Sequence, residues 1–203
     1  QRRFELASAN FRLWFFSACQ FWRGMNYYVF VNDLRHAMFM LHQSAERAYH
    51  AVLLVYTAYK PRSHDLIDLA KRTESLHEAL RDAFPRTTPE DEELLKLFNR
   101  AYVDARYALD YDVTADELTN LRQRVHVLFL RVLVACKAKL DELSGGQGVG
   151  ALPEAPFYDD MEGMPKVPEG LPAELEGWAE SFVASAKAAG VGHTVFISAF
   201  GTN

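Results

Sequence analysis

The chain has 203 residues, 49% of them apolar, and a formal net charge of −5, enough for one sizeable globular domain with an appendage. No window offers the ~18 uncharged apolar residues that a membrane helix needs; the most apolar stretch, FRLWFFSACQFW, is short and holds Arg12 and Gln20. No small-residue cleavage pattern follows it, so neither a membrane partner nor a signal peptide is expected. Cys19 and Cys136 fall inside helical patterns. They read as reduced core thiols of a cytoplasmic protein, not a disulfide framework or a zinc site. The acidity is uneven. Residues 1–143 hold 20 Lys+Arg against 19 Asp+Glu, and residues 144–203 hold 2 against 8. Starting at Gln1 rather than Met, the chain reads as a mature or excised fragment.

A first helix is expected over residues 4–25, where Phe4, Ala7, Phe11, Phe15, Ala18 and Trp22 recur at spacings of three and four, with Gly24 and Tyr27-Tyr28 marking its end. Asn32 is the expected cap of a second helix, whose buried face runs Leu34, Ala37, Leu41, Ala45, Ala48, Val52, Val55. Pro61 stops it. Ser63 starts a short helix through Leu66, Ile67 and Leu69, and another short helical piece covers 76–84. Thr88-Pro89-Glu90-Asp91 is a strong helix start. It opens a fourth long helix with Leu94, Leu97, Phe98, Ala101, Ala105 and Leu109 inward. Thr114-Ala115-Asp116-Glu117 is a capping box, opening a fifth helix with Leu118, Leu121, Val125, Leu128, Val132 and Leu140 inward. Residues 1–143 are therefore expected to form an all-α, up-and-down bundle of four to five helices. A Gly/Pro-rich linker over 144–172 and an acidic extension over 173–203 follow. The extension offers one helix, around Trp178, and one strand pattern, TVFIS at 194–198.

The second helix carries His42, Gln43, Glu46 and His50 inside an apolar pattern. His42, Glu46 and His50 share one stripe, but positions eight apart lie ~12 Å apart along a helix, so one ion cannot touch both histidines. Hydrogen-bonded groups are the expected reading, and no metal or cofactor is assigned. Glu46 can pair with Arg106 of the fourth helix, either as a structural ion pair or to aim the arginine at an anion. The planar guanidinium suits phosphate. Lys60, Ser63 and His64 surround a proline-stiffened turn before a helix, a position that favours anions. Aromatics of the fourth helix, Tyr102, Tyr107 and Tyr111, suit either packing or base stacking. His36, His77 and His126 are read as incidental.

The run from Ala37 to Leu69 resembles the HEPN domain, a helical bundle of bacteria, archaea and some large eukaryotic proteins. The elements that carry the resemblance are His42-Gln43, Glu46, Pro61, His64-Asp65-Leu66 and Arg106-Tyr107, over roughly residues 4–142. The resemblance implies one of two kinds of molecule. One is a metal-independent ribonuclease, usually a toxin, with an Arg-x4-6-His motif. The other is a module that binds nucleotides or partners a nucleotidyltransferase, often fused just N-terminal to it. Here Tyr111 stands where the nuclease histidine is expected. Cleavage at neutral pH needs a proton acceptor that tyrosine, with an unperturbed pKa of about 10, does not supply. A non-catalytic nucleotide- or RNA-binding module is therefore expected, using Arg106, Tyr107, Glu46, Gln43, His42, Lys60 and His64. A homodimer with a possible nucleotidyltransferase partner is expected with it. The alternatives are a protein-interaction domain without small ligand, and a divergent ribonuclease toxin.

Overall fold

The computed structural model describes residues 2–146. The expected helix over 173–189 and strand at 194–198 lie outside the described residues, as does most of the linker. Within them the protein is all-α: helices α1 (Arg2–Phe30), α2 (Leu34–Thr57), α3 (Leu66–Glu74), α4 (Pro89–Tyr107) and α5 (Ala115–Leu143), with a 3-10 turn at Glu78–Asp82.

The inward faces of α1, α2 and α5 are those the periodicity predicts. Ala7, Phe11, Phe15, Ala18 and Trp22 are buried, as are Leu118, Leu121, Val125, Leu128, Val132 and Leu140. Fully burying a side chain of this size contributes about 1.5–3 kcal/mol, and the Trp22, Phe15 and Phe129 rings meet edge to face at 5.6 Å. Gly24 does not end α1. It lies opposite Met40 of α2, where a Cβ would sit 3.4 Å from the sulfur. Close helix packing there outweighs the ~1 kcal/mol that glycine costs inside a helix.

Several boundaries differ from expectation because local hydrogen bonding decides them. Asn32 takes the left-handed conformation with φ 59°, and Asp33 is the cap of α2, accepting from the His36 amide at 3.1 Å. Helix α2 ends on a left-handed Ala58, before Pro61 is reached. Ser63 does not cap α3. Asp65 does, accepting from the amides of Ile67 and Asp68, while Ser63 accepts from the Asp65 amide. Thr88 and Thr114 both form complete capping boxes. Leu109, expected in the core, is 97% exposed, because α4 ends at Tyr107. Arg35 of α2 fastens that end by donating to the carbonyls of Asp104 and Ala108.

The position of α2 matters most for function. It packs against α1, α3, α4 and α5. No solvent stripe is left along its middle, and every residue from Leu41 to Glu46 is buried.

Candidate functional site

A helix enclosed on four sides must satisfy its polar groups internally. Glu46, 5% exposed, does this through one oxygen. Its Oε2 accepts from Gln43 Nε2 at 3.0 Å and from His64 Nδ1 at 3.0 Å. His42 Nδ1 lies 3.9 Å from the same oxygen, and His50 Nδ1 lies 3.8 Å from Oε1. The Gln43 amide also faces His42 Nδ1 at 3.4 Å, so that nitrogen accepts and the His42 proton resides on Nε2, which has no hydrogen-bond partner.

His64 reaches this buried carboxylate from the loop before α3. Its side chain is 47% exposed, and its ring lies flat on Tyr102 of α4 at 3.9 Å and 9°. Donation from Nδ1 to Glu46 fixes the ring orientation and leaves Nε2 for a partner outside the network. Asn99, one turn before Tyr102, accepts from the Leu66 amide at 2.7 Å. This bond holds the start of α3, and with it His64, against α4.

Arg106 stands on the other side of Tyr102. Its Nε and Nη2 return to the Tyr102 carbonyl at 2.8 and 2.5 Å. The guanidinium lies 4.6–4.9 Å from the rings of Phe39, Tyr102 and Tyr107. It does not pair with Glu46, and no acid among the described residues neutralises it. Glu46 therefore orients His64, not Arg106. The sequence model of the HEPN domain matches residues 11–133. The chain belongs to the HEPN domain family. That membership makes it a nucleotide- or RNA-related module in general. No curated protein matches the chain.

In this HEPN domain, Tyr111 is 2% exposed and donates its hydroxyl to the Leu97 carbonyl at 3.0 Å. Burial pushes its hydroxyl pKa upward, so the residue at the nuclease-histidine position is a packed donor. Tyr107 is 71% exposed, available to a ligand. Lys60 is elsewhere: its ammonium lies 5.2 Å from the centre of the Trp14 ring of α1. The histidines read as incidental have structural partners. His36 bonds Asp33 at 2.7 Å and stacks on Tyr28, His77 accepts from the Ala79 amide, and the His126 ring neighbours Trp22.

His42 and His50 are both held neutral, each pushed down to about 3. Burial is the larger cause for each. Positive charge adds to it, from His64 and Arg106 around His42 and from Lys60, His64 and Arg47 around His50. Beside the His64–Tyr102 stack runs an open groove of about 430 Å³, bordered by Asn99, Arg100 and Asp104. A larger depression of about 890 Å³ between α4 and the start of α5 is edged by four acids, Glu90, Glu93, Asp116 and Glu117, and by Lys96 and Arg100. Among the described residues, no three His, Cys, Asp or Glu side chains are placed to hold a metal ion, and no helix is long and apolar enough to cross a membrane. Tyr102 is the site residue that the sequence-based set omits. Its signal was its position four residues before Arg106, on the same helical stripe.

Proposed function

We propose that this HEPN domain binds a phosphate-bearing ligand, a nucleotide or RNA, at the His64–Tyr102–Arg106 surface without cleaving it. The observation that carries the reading is the half-exposed His64, held at 3.0 Å by a buried carboxylate and stacked on Tyr102. Fixing a partly exposed imidazole with a buried acid costs side-chain entropy and desolvation, which a site recovers on binding. Arg106 takes the phosphate with its forked donors. His64 adds a second donor, and the Tyr102 and Tyr107 rings give the base a stacking surface. Glu46 and Gln43 position His64 from below, and His42 packs against Tyr102 at 5.7 Å between ring centres. Tyr111 supplies neither an acid nor a base, which favours an accessory role beside a nucleotidyltransferase over ribonuclease chemistry. Calorimetry with ATP, GTP and a short RNA tests this on wild type, Arg106→Ala and His64→Ala. Losing a charged hydrogen bond of this kind costs about 1.5–3 kcal/mol, roughly ten- to hundredfold in affinity. Absence of binding by the wild type refutes the reading.

A second reading, self-association, is favoured by the outer face of α1. Leu6, Leu13 and Phe16 are 54–65% exposed and share one stripe by their spacing of seven and three. Light scattering at tens of micromolar decides between monomer and dimer.

A further inference from the structure

We propose that Trp14, Arg47, His50 and Lys60 form a second anion subsite, on the α1 side of Glu46, that takes a phosphate group separate from the one at Arg106. The chemistry of the ligand rests on the binding reading above; the residues do not overlap with Arg106, Tyr102 or Tyr107.

The local structure is unusual in its charge. Arg47 of α2 lies with its guanidinium carbon 5.5 Å from the Trp14 ring centre and 4.6 Å from that of Phe21. Lys60, from the loop after α2, approaches the same Trp14 ring at 5.2 Å. Neither cation has a carboxylate partner among the described residues, and Arg47 Nε is buried without a hydrogen-bond partner. Aromatic faces hold cations in place but leave their N–H groups unsatisfied.

His50 supplies an independent observation. It is 1% exposed, packs edge-on against Trp14 at 5.5 Å, and neither ring nitrogen has a hydrogen-bond partner. A buried imidazole with two orphaned nitrogens is costly unless something meets it. Water would meet the nitrogens and the N–H groups of the two cations, but it brings no charge to neutralise them. An anion brings that charge and accepts from Arg47, Lys60 and the one N–H of neutral His50. Burial first, and then the positive charge of Lys60, His64 and Arg47, keeps the proton off His50. The nearby acid, Glu46, is engaged by Gln43 and His64 through Oε2, and its Oε1 faces His50 Nδ1 at 3.8 Å, beyond hydrogen-bond distance.

Two subsites flanking one carboxylate suit a ligand with more than one phosphate. That chemistry is shared by a nucleoside diphosphate and by the backbone of a short RNA, and the probes separate them. Trp14 reports directly, since an anion that draws Lys60 off its ring changes its emission. The difference between wild type and Trp14→Phe isolates that signal from the other tryptophans.

The experiment titrates the full chain with inorganic phosphate, pyrophosphate, ADP and a five-nucleotide RNA, reading Trp14 emission in wild type, Lys60→Met, Arg47→Gln and Arg106→Ala. The expected result is a saturable change in wild type that weakens tenfold or more in Lys60→Met and persists in Arg106→Ala. A response to RNA with none to ADP assigns a backbone phosphate; the converse assigns a diphosphate. Lys60 is half-buried in a loop outside the helices, so Lys60→Met keeps the test decisive if Arg47→Gln folds poorly. No Trp14 response in wild type, or undiminished affinity in Lys60→Met and Arg47→Gln alike, overturns the subsite. If Arg106→Ala leaves calorimetric binding intact while Lys60→Met abolishes it, the Arg106 surface fails and this subsite stands; the reverse pattern separates them the other way.

Discussion

Acidification from pH 7.5 to 5 is expected to destabilise this HEPN domain through His42 and His50. Both are neutral in the folded chain and pushed down to about 3, whereas an unfolded histidine titrates near ~6.5. The unfolded state therefore binds more protons as pH falls below ~6.5, and stability falls with it until the folded groups protonate near 3. Each ring costs ~2 kcal/mol at pH 5, and the two together up to ~4 kcal/mol. The Glu46 carboxylate, 3.8–3.9 Å from both rings, moderates the first protonation, so the expected loss is ~2–4 kcal/mol, against a total stability of roughly 5–15 kcal/mol for such a domain. Urea unfolding at half-unit pH steps measures it. His42→Gln and His50→Gln each remove one titrating ring, and the double variant flattens the curve between pH 7 and 5. Wild-type stability that is level across this range, or a double variant with the wild-type slope, refutes the account of these buried rings.

Other substitutions separate the parts of the structure. Glu46→Ala leaves Gln43 without its acceptor and His64 unanchored, and is expected to cost about 1–3 kcal/mol in chemical denaturation and to weaken ligand binding as far as His64→Ala does. Leu109→Asp is expected to change stability by less than ~0.5 kcal/mol, because the side chain is exposed; a larger loss would mean that α4 continues past Tyr107. Tyr111→His places an imidazole in a buried slot under Arg100, and is expected to show no cleavage of a labelled RNA above the wild-type background.

The helices were legible because their inward faces repeat at helical spacing and two of their starts carry a threonine with an acid three positions on. The errors arose where two residues compete for one role. Asn32 and Asp33 are both good caps, and the tertiary path decides that Asn32 turns the chain while Asp33 binds the amide. Ser63 and Asp65 compete in the same way before α3. Gly24 looked like a terminator because the Met40 contact that justifies it lies sixteen residues away. In the site, His64 and Glu46 were recognisable as positions, but not their bond: eighteen residues separate them, and Arg106 was an equally charged candidate for Glu46. Only the packing of α3 on α4 through Asn99 and Leu66 brings the histidine to the carboxylate and leaves the arginine on Tyr102.

The polar residues of α2 answer to the enclosure of that helix. With neighbours on four sides, His42, Gln43, Glu46 and His50 are shut off from bulk solvent, and an apolar residue at each position would pack at lower cost. Their arrangement is also unbalanced. One carboxylate faces Gln43 and three imidazoles, while Arg47 and Lys60 at Trp14 and Arg106 at Tyr102 have no acid partners among the described residues. A network built only to stabilise the bundle would be neutralised within itself, as Arg124 with Asp91 and Arg86 with Glu74 are at 2.5 and 2.7 Å. Here the surplus is of donors and positive charge, on both sides of Glu46. On the proposed reading, a phosphate-bearing ligand would complete such a network, because it would bring the acceptors and negative charge that these donors lack within the described residues.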